Sequence, residues 1–175
     1  MSLPDAAGRA GSGPGAFCCD LLVATRLEAG CVFGQPPANS EESVRALLRH
    51  PAQTTGSDAI YQGGHPHPRG WGAFARLLGR HVRELGDWTW EQAAAHLAGR
   101  AADRFRLADR GRVETGRAAD LAVVDPSAVT DRATYERPRV PAEGVEHVVV
   151  NGVPVLSGGV LAETARPPGR ALTPS

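Results

Sequence analysis

The side chains whose types and spacing suit chemistry lie close together in this chain. Thr54-Thr55-Gly56-Ser57-Asp58 reads as a short strand that ends on a carboxylate. His65-Pro66-His67-Pro68-Arg69-Gly70 follows it as a loop with titratable and cationic side chains. A carboxylate can take a proton from water and pass it to a leaving group. A guanidinium offers a planar fork that pairs with another carboxylate at two points. An imidazole can hydrogen-bond a substrate or brace its own loop. Each residue also has a plainer reading. Ser57-Asp58 can be a strand-ending turn, where both residue types are common. Arg69 can be half of a structural ion pair, and His67 can be a brace.

The flanking segments must position these groups. Asn39-Ser40-Glu41-Glu42 opens a helix, with Asn39 as its cap and Glu42 reaching back. Val44, Leu47 and Leu48 give that helix one apolar face. Beyond the loop, Phe74, Leu77, Leu78, Val82 and Leu85 recur at the spacing of an amphipathic helix that starts near Trp71. Helix, short strand, loop and helix is the order of one unit of an α/β barrel. In such barrels the chemistry sits at the carboxyl ends of the strands, which is where Asp58 falls.

The rest of the chain divides by composition. Residues 1–16 are rich in Gly, Ala and Pro, and disorder is expected there, with no signal peptide. A Leu-rich helix is expected from Cys18 to Ala29, stopped by Gly30, and Cys31-Val32-Phe33 reads as a short buried strand. Thr89-Trp90-Glu91-Gln92 is a capping box that opens an Ala-rich helix, and Arg100–Phe105 reads as a further short helix. After Leu107 strand signals take over: Leu121–Val124, then His147–Val150 and Val153–Leu156 joined by Asn151-Gly152, a strong hairpin signal. The expected organisation is therefore 17–107 as an α/β part, 108–165 as a small β part and 166–175 as a Pro-rich tail.

Bulk properties exclude several classes. Formal net charge is zero, all 19 basic residues are Arg, and no apolar run could span a bilayer. Neither nucleic acid nor a membrane is an expected partner. Cys18, Cys19 and Cys31 form no CxxC and are odd in number, which suits reduced thiols in the cytoplasm.

The set Gly56-Ser57-Asp58, His67-Pro68-Arg69, Gly111-Arg112-Val113 with Gly116, Ala119-Asp120-Leu121, Asp131-Arg132-Ala133-Thr134 and Val150-Asn151-Gly152 resembles the N-acyl-D-amino-acid deacylases. These are members of the metal-dependent amidohydrolase superfamily. The resemblance runs from about Asp20 to the C-terminus. It implies an α/β fold: the last strand and helices of a TIM-like barrel, then strands of a small β-sandwich. It implies hydrolysis of the amide bond of a small N-acyl-D-amino acid with zinc as cofactor. Bound zinc lowers the pKa of water from about 15.7 to about 7. By the same resemblance Asp58 is the catalytic acid/base and a metal-proximal group. For such a substrate the fork of Arg69 suits its carboxylate, and His67 is a further substrate-binding candidate, beside the plainer readings of each.

Zinc needs at least three protein ligands, and Asp58 is the one candidate that the resemblance offers here. A single barrel strand cannot close a barrel. The chain alone is therefore expected to be marginally folded or inactive unless a companion chain carries the rest. Two other readings stay open. One is a cyclic-amide amidohydrolase of the hydantoinase or dihydroorotase type. The other is a non-catalytic remnant that works through protein contacts.

Overall fold

The computed structural model describes residues 1–29, 39–163 and 166–173. The chain forms two compact units, Met1–Gln35 with Gly63–His65, and Pro36–Gln62 with Pro66–Ser175. The expected strand at Cys31-Val32-Phe33 lies outside the described residues.

The first unit is helical. Residues 1–16, expected to be disordered, carry helix α1 (Leu3–Arg9). Composition misses it because the helix is started by its cap. The Ser2 hydroxyl accepts from the Asp5 amide, and the Asp5 carboxylate accepts from the Ser2 amide, which satisfies first-turn donors at both ends of the box. Helix α2 (Pro14–Ala24) follows, with Pro14 in the first turn, where a missing N–H costs nothing. It starts before Cys18 and ends before the expected Gly30 stop. Thr25 is the C-cap, and Arg26 and Leu27 turn left-handed at φ 52° and 66°.

The second unit begins with α3 (Glu41–Arg49). Its cap is Ser40, one residue later than the expected Asn39, and the Ser40 hydroxyl accepts from the Ser43 amide at 3.1 Å. Helix α4 (Arg69–Arg76) continues into wider turns over Leu77–Glu84, where the Leu85 amide reaches back five residues to the Arg80 carbonyl. The Thr89 capping box is present and opens α5 (Trp90–Ala94), which runs on through Ala95–Gly99 into α6 (Arg100–Arg104). Val82, Trp88 and Ala93 form the buried core of these helices, with Leu48, Leu77, Leu78, Trp90 and Leu97 packed around it.

Buried polar groups lock α3 to this core. The Asp87 carboxylate, with its side chain fully buried, accepts from Arg45 Nε at 3.0 Å and lies 2.9 Å from His81 Nδ1. Burial pushes the Asp87 carboxyl up, but hydrogen bonds from Arg45 and His81 outweigh it, and the net direction is down. Trp88 donates its indole N–H to the Leu48 carbonyl at 3.2 Å. His81 and His96 are both buried, and His96 stacks on Trp88 at 4.6 Å.

Strands β1 (Leu121–Val124), β2 (Val145–Val150), β3 (Val153–Ser157) and β4 (Val160–Leu161) make one antiparallel sheet in sequence order. Asn151 and Gly152 have φ 48° and 79°, the two left-handed residues that a type I′ hairpin turn requires. Gly158-Gly159 repeats this at β3–β4, so a fourth strand forms where none was expected. The helices end and this sheet begins within one compact unit.

Thr54–Asp58 differs from expectation. Among the described residues the segment has no ladder partner, and it is not a strand in this structure. A barrel strand is defined by hydrogen bonds to neighbours on both sides. The described residues provide no such neighbour.

Candidate functional site

Pro68 ends the loop and Arg69 is the first residue of α4. Proline before the helix fixes φ and removes a donor that the first turn would leave unpaired. The Arg69 amide is one of the orphan donors of that first turn, and it donates to His67 Nδ1 at 3.0 Å. Nδ1 is therefore unprotonated, and the imidazole N–H sits on Nε2, 3.4 Å from the Tyr135 hydroxyl. The two rings meet edge to face at 5.3 Å. Burial, with the positive charge of Arg69 added, lowers the His67 pKa, and Asp58 opposes this only in part. His67 is accordingly neutral near pH 7.

Asp58 meets the same helix start from the other side. Its backbone is left-handed at φ 48°, which Asp tolerates better than most residues. Arg69 Nη2 lies 2.8 Å from Asp58 Oδ2, and Arg69 Nε donates to the Asp58 carbonyl at 2.7 Å. The Asp58 side chain is 80% exposed and that of Arg69 36%. Tyr61 braces the loop through an edge contact with Trp71 at 5.2 Å and a 3.4 Å bond from its hydroxyl to the Gly70 carbonyl.

The three residues singled out from the sequence are thus neighbours at one helix start. A cleft of 790 Å³ opens beside them, lined by Thr54, His67, Arg69, Arg76, Asp131 and Tyr135 among others. Sequence reasoning gave Tyr135 no role and used Asp131 only as part of a motif. Asp131 pairs with Arg76 at 3.3 Å. Asp131 opens the Asp131-Arg132-Ala133-Thr134 motif and Tyr135 directly follows it, so the motif was the available signal. His65 belongs to the other unit, and His50 is exposed and accepts from the Ala52 amide.

Two motif groups prove to be structural. Arg110, buried, pairs with Asp120 and donates to Asn151 Oδ1 at 3.1 Å. The Asn151 amide donates to Asp120 Oδ1 at 2.7 Å, and Asn151 Nδ2 donates to the Pro168 carbonyl at 2.7 Å. Ala119-Asp120-Leu121 and Val150-Asn151-Gly152 therefore tie the hairpin turn to the entry of β1 and to the tail.

Among the described residues no group of three or more His, Cys, Asp or Glu could hold a metal ion. Asp58 faces a guanidinium rather than other acidic or imidazole side chains. The described residues do not by themselves fit a zinc ion, which needs three or four such ligands.

The geometry can be set beside known proteins. The chain is 42% identical over 156 residues to N-acyl-D-glutamate deacylase of Alcaligenes xylosoxydans xylosoxydans, covering 88% of this chain and 31% of that protein. It is 42% identical over 134 residues to D-aminoacylase of the same organism, covering 71% and 28%. Its structure is similar to that of N-acyl-D-glutamate deacylase from Bordetella bronchiseptica, which was solved with zinc and a phosphonate inhibitor. The TM-score is 0.74 at 37% identity, over 89% of this chain and 31% of that one. The chain thus spans about three tenths of the length of the relatives it matches. The sequence pattern of the amidohydrolase family matches residues 20–156, and with these likenesses the chain belongs to that family.

Proposed function

We propose that this chain is the C-terminal portion of a metal-dependent deacylase of N-acyl-D-amino acids, and that it is inactive alone. The observation that carries the reading is the convergence of Asp58, His67 and Arg69 on the first turn of α4, beside a cleft of 790 Å³. Asp58 takes a proton from the attacking water and passes it to the departing amine nitrogen. Arg69 pairs with the carboxylate of the acylamino acid. His67 holds the Arg69 backbone through its Nδ1.

In this reading Thr54–Asp58 is the last strand of a TIM-like barrel, and β1–β4 belong to a small β-sandwich. A companion chain, or a further stretch of this one, supplies the neighbouring strands. It also supplies the ligands with which Asp58 would share a zinc ion. The exposure of Phe105, Val113 and Leu161 supports this. No helix among the described residues is long and apolar enough to cross a membrane.

The test is amine release from N-acetyl-D-methionine and its L enantiomer with added zinc. It is run on this chain, and on a D-aminoacylase whose matching C-terminal part has been replaced by this chain. The expected result is no turnover by the chain alone. The chimera should turn over the D form and lose that turnover with Asp58→Asn. An inactive chimera that folds and binds zinc would overturn the reading.

A further inference from the structure

One edge of Arg69 is already occupied. Its Nε and Nη2 make up one edge of the guanidinium, and Asp58 takes both with two different groups, its backbone carbonyl at 2.7 Å and its carboxylate at 2.8 Å. An arginine edge of this kind is the two-point reader of a carboxylate. A substrate carboxylate approaching that edge finds both donors in use. The left-handed backbone of Asp58 turns its carbonyl and its side chain toward the same partner. A return to extended φ breaks both contacts together. The Asp58 side chain is 80% exposed, so its release meets no packing.

We infer that Asp58 is an internal stand-in for the substrate carboxylate, and that the Nε–Nη2 edge of Arg69 is closed on itself until Asp58 turns away. The inference rests on the reading of Arg69 as a carboxylate binder given above. On that reading Asp58 has two positions: paired with Arg69 when the site is empty, and free of it when the site is filled. Binding and release of a carboxylate are then coupled to the placement of the residue proposed to move the proton.

The probe is sodium acetate, titrated into the full chain at constant ionic strength and followed by the NMR signal of the Arg69 Nε–H. An exposed ion pair has a modest worth, so acetate should bind Asp58→Ala about three- to five-fold tighter than the unaltered chain. Equal affinity in the two proteins, or an Arg69 signal that acetate does not move in Asp58→Ala, overturns the inference. A second reading needs no ligand. Urea unfolding of Asp58→Ala, Arg69→Ala and the double variant should be non-additive, because each single change removes the same contact. Additive changes also overturn the inference. Neither measurement depends on turnover, so an inactive chimera and an open Arg69 edge are distinguishable failures.

Discussion

At the scale of single residues, His96 shows how far burial alters an unremarkable position. Its ring stacks on Trp88 and its Nδ1 lies 3.0 Å from the Gln53 carbonyl, with Arg100 also in contact. Burial lowers its pKa below the ordinary 6.5, the Gln53 carbonyl opposes this, and Arg100 adds to it. Above 6.5 the imidazole is neutral in both states. Below 6.5 the unfolded chain takes up a proton that the folded chain refuses, so stability falls until the folded value is reached. His67 shifts in the same direction and adds to the slope. The urea midpoint should therefore drop between pH 7 and pH 5.5, and His96→Gln should flatten that slope. A slope unchanged by the substitution would remove His96 as its source. No local pattern in the sequence marks His96, because its partners at Gln53 and Trp88 are set by tertiary contacts.

At the scale of elements, local signals were legible and pairing was not. The Thr89 capping box and the Asn151-Gly152 turn act within a few residues, and both stand where their chemistry placed them. The close approach of the loop at Val129 to the turns after α4 has no such signal. A side chain at Gly79 would put its Cβ 2.8 Å from the Val129 carbonyl oxygen, and Arg83 Nη1 donates to the same oxygen at 2.7 Å. In a free helix, Gly→Ala gains about 1 kcal/mol. Here the backbone of 128–130 must move, at a cost of about 1–3 kcal/mol for an overpacked contact. Gly79→Ala is expected to leave the chain less stable by denaturant unfolding, although it improves helix propensity. A net gain in midpoint would mean that the loop yields freely.

At the scale of the whole molecule, the core is thin. Among the described residues Val82, Trp88 and Val129 are the buried apolar side chains larger than alanine, and Ala7, Ala75, Ala93 and Ala102 make up the rest of the buried apolar set. Phe105, Val113, Val160 and Leu161 are more than half exposed. A buried leucine-sized side chain contributes about 1.5–3 kcal/mol and a buried alanine much less, so little is left to offset chain entropy. The chain alone should unfold at low urea concentration with a shallow transition, and it should bind a hydrophobic dye before it unfolds. A steep transition at high urea without dye binding would contradict a chain that lacks its neighbours.

The sequence by itself determined α3 to α6 and β1 to β3 and their order, but not α1, β4 or the state of Thr54–Asp58. Periodicity set the helix after Arg69, β-branched runs set the strands, and Asn-Gly set the hairpin, because each of these acts over four residues or fewer. It also brought Asp58, His67 and Arg69 into view as a group, since they lie near one another in the chain. Tertiary structure decided what each of them touches. It gave Arg69 the carboxylate of Asp58 as a partner, and it brought Tyr135 against His67 from far along the chain. Among the described residues it left Thr54–Asp58 without a ladder. A strand is made by its neighbours rather than by its own residues, and an ion pair by the two segments that deliver it. Neither can be read from one stretch alone.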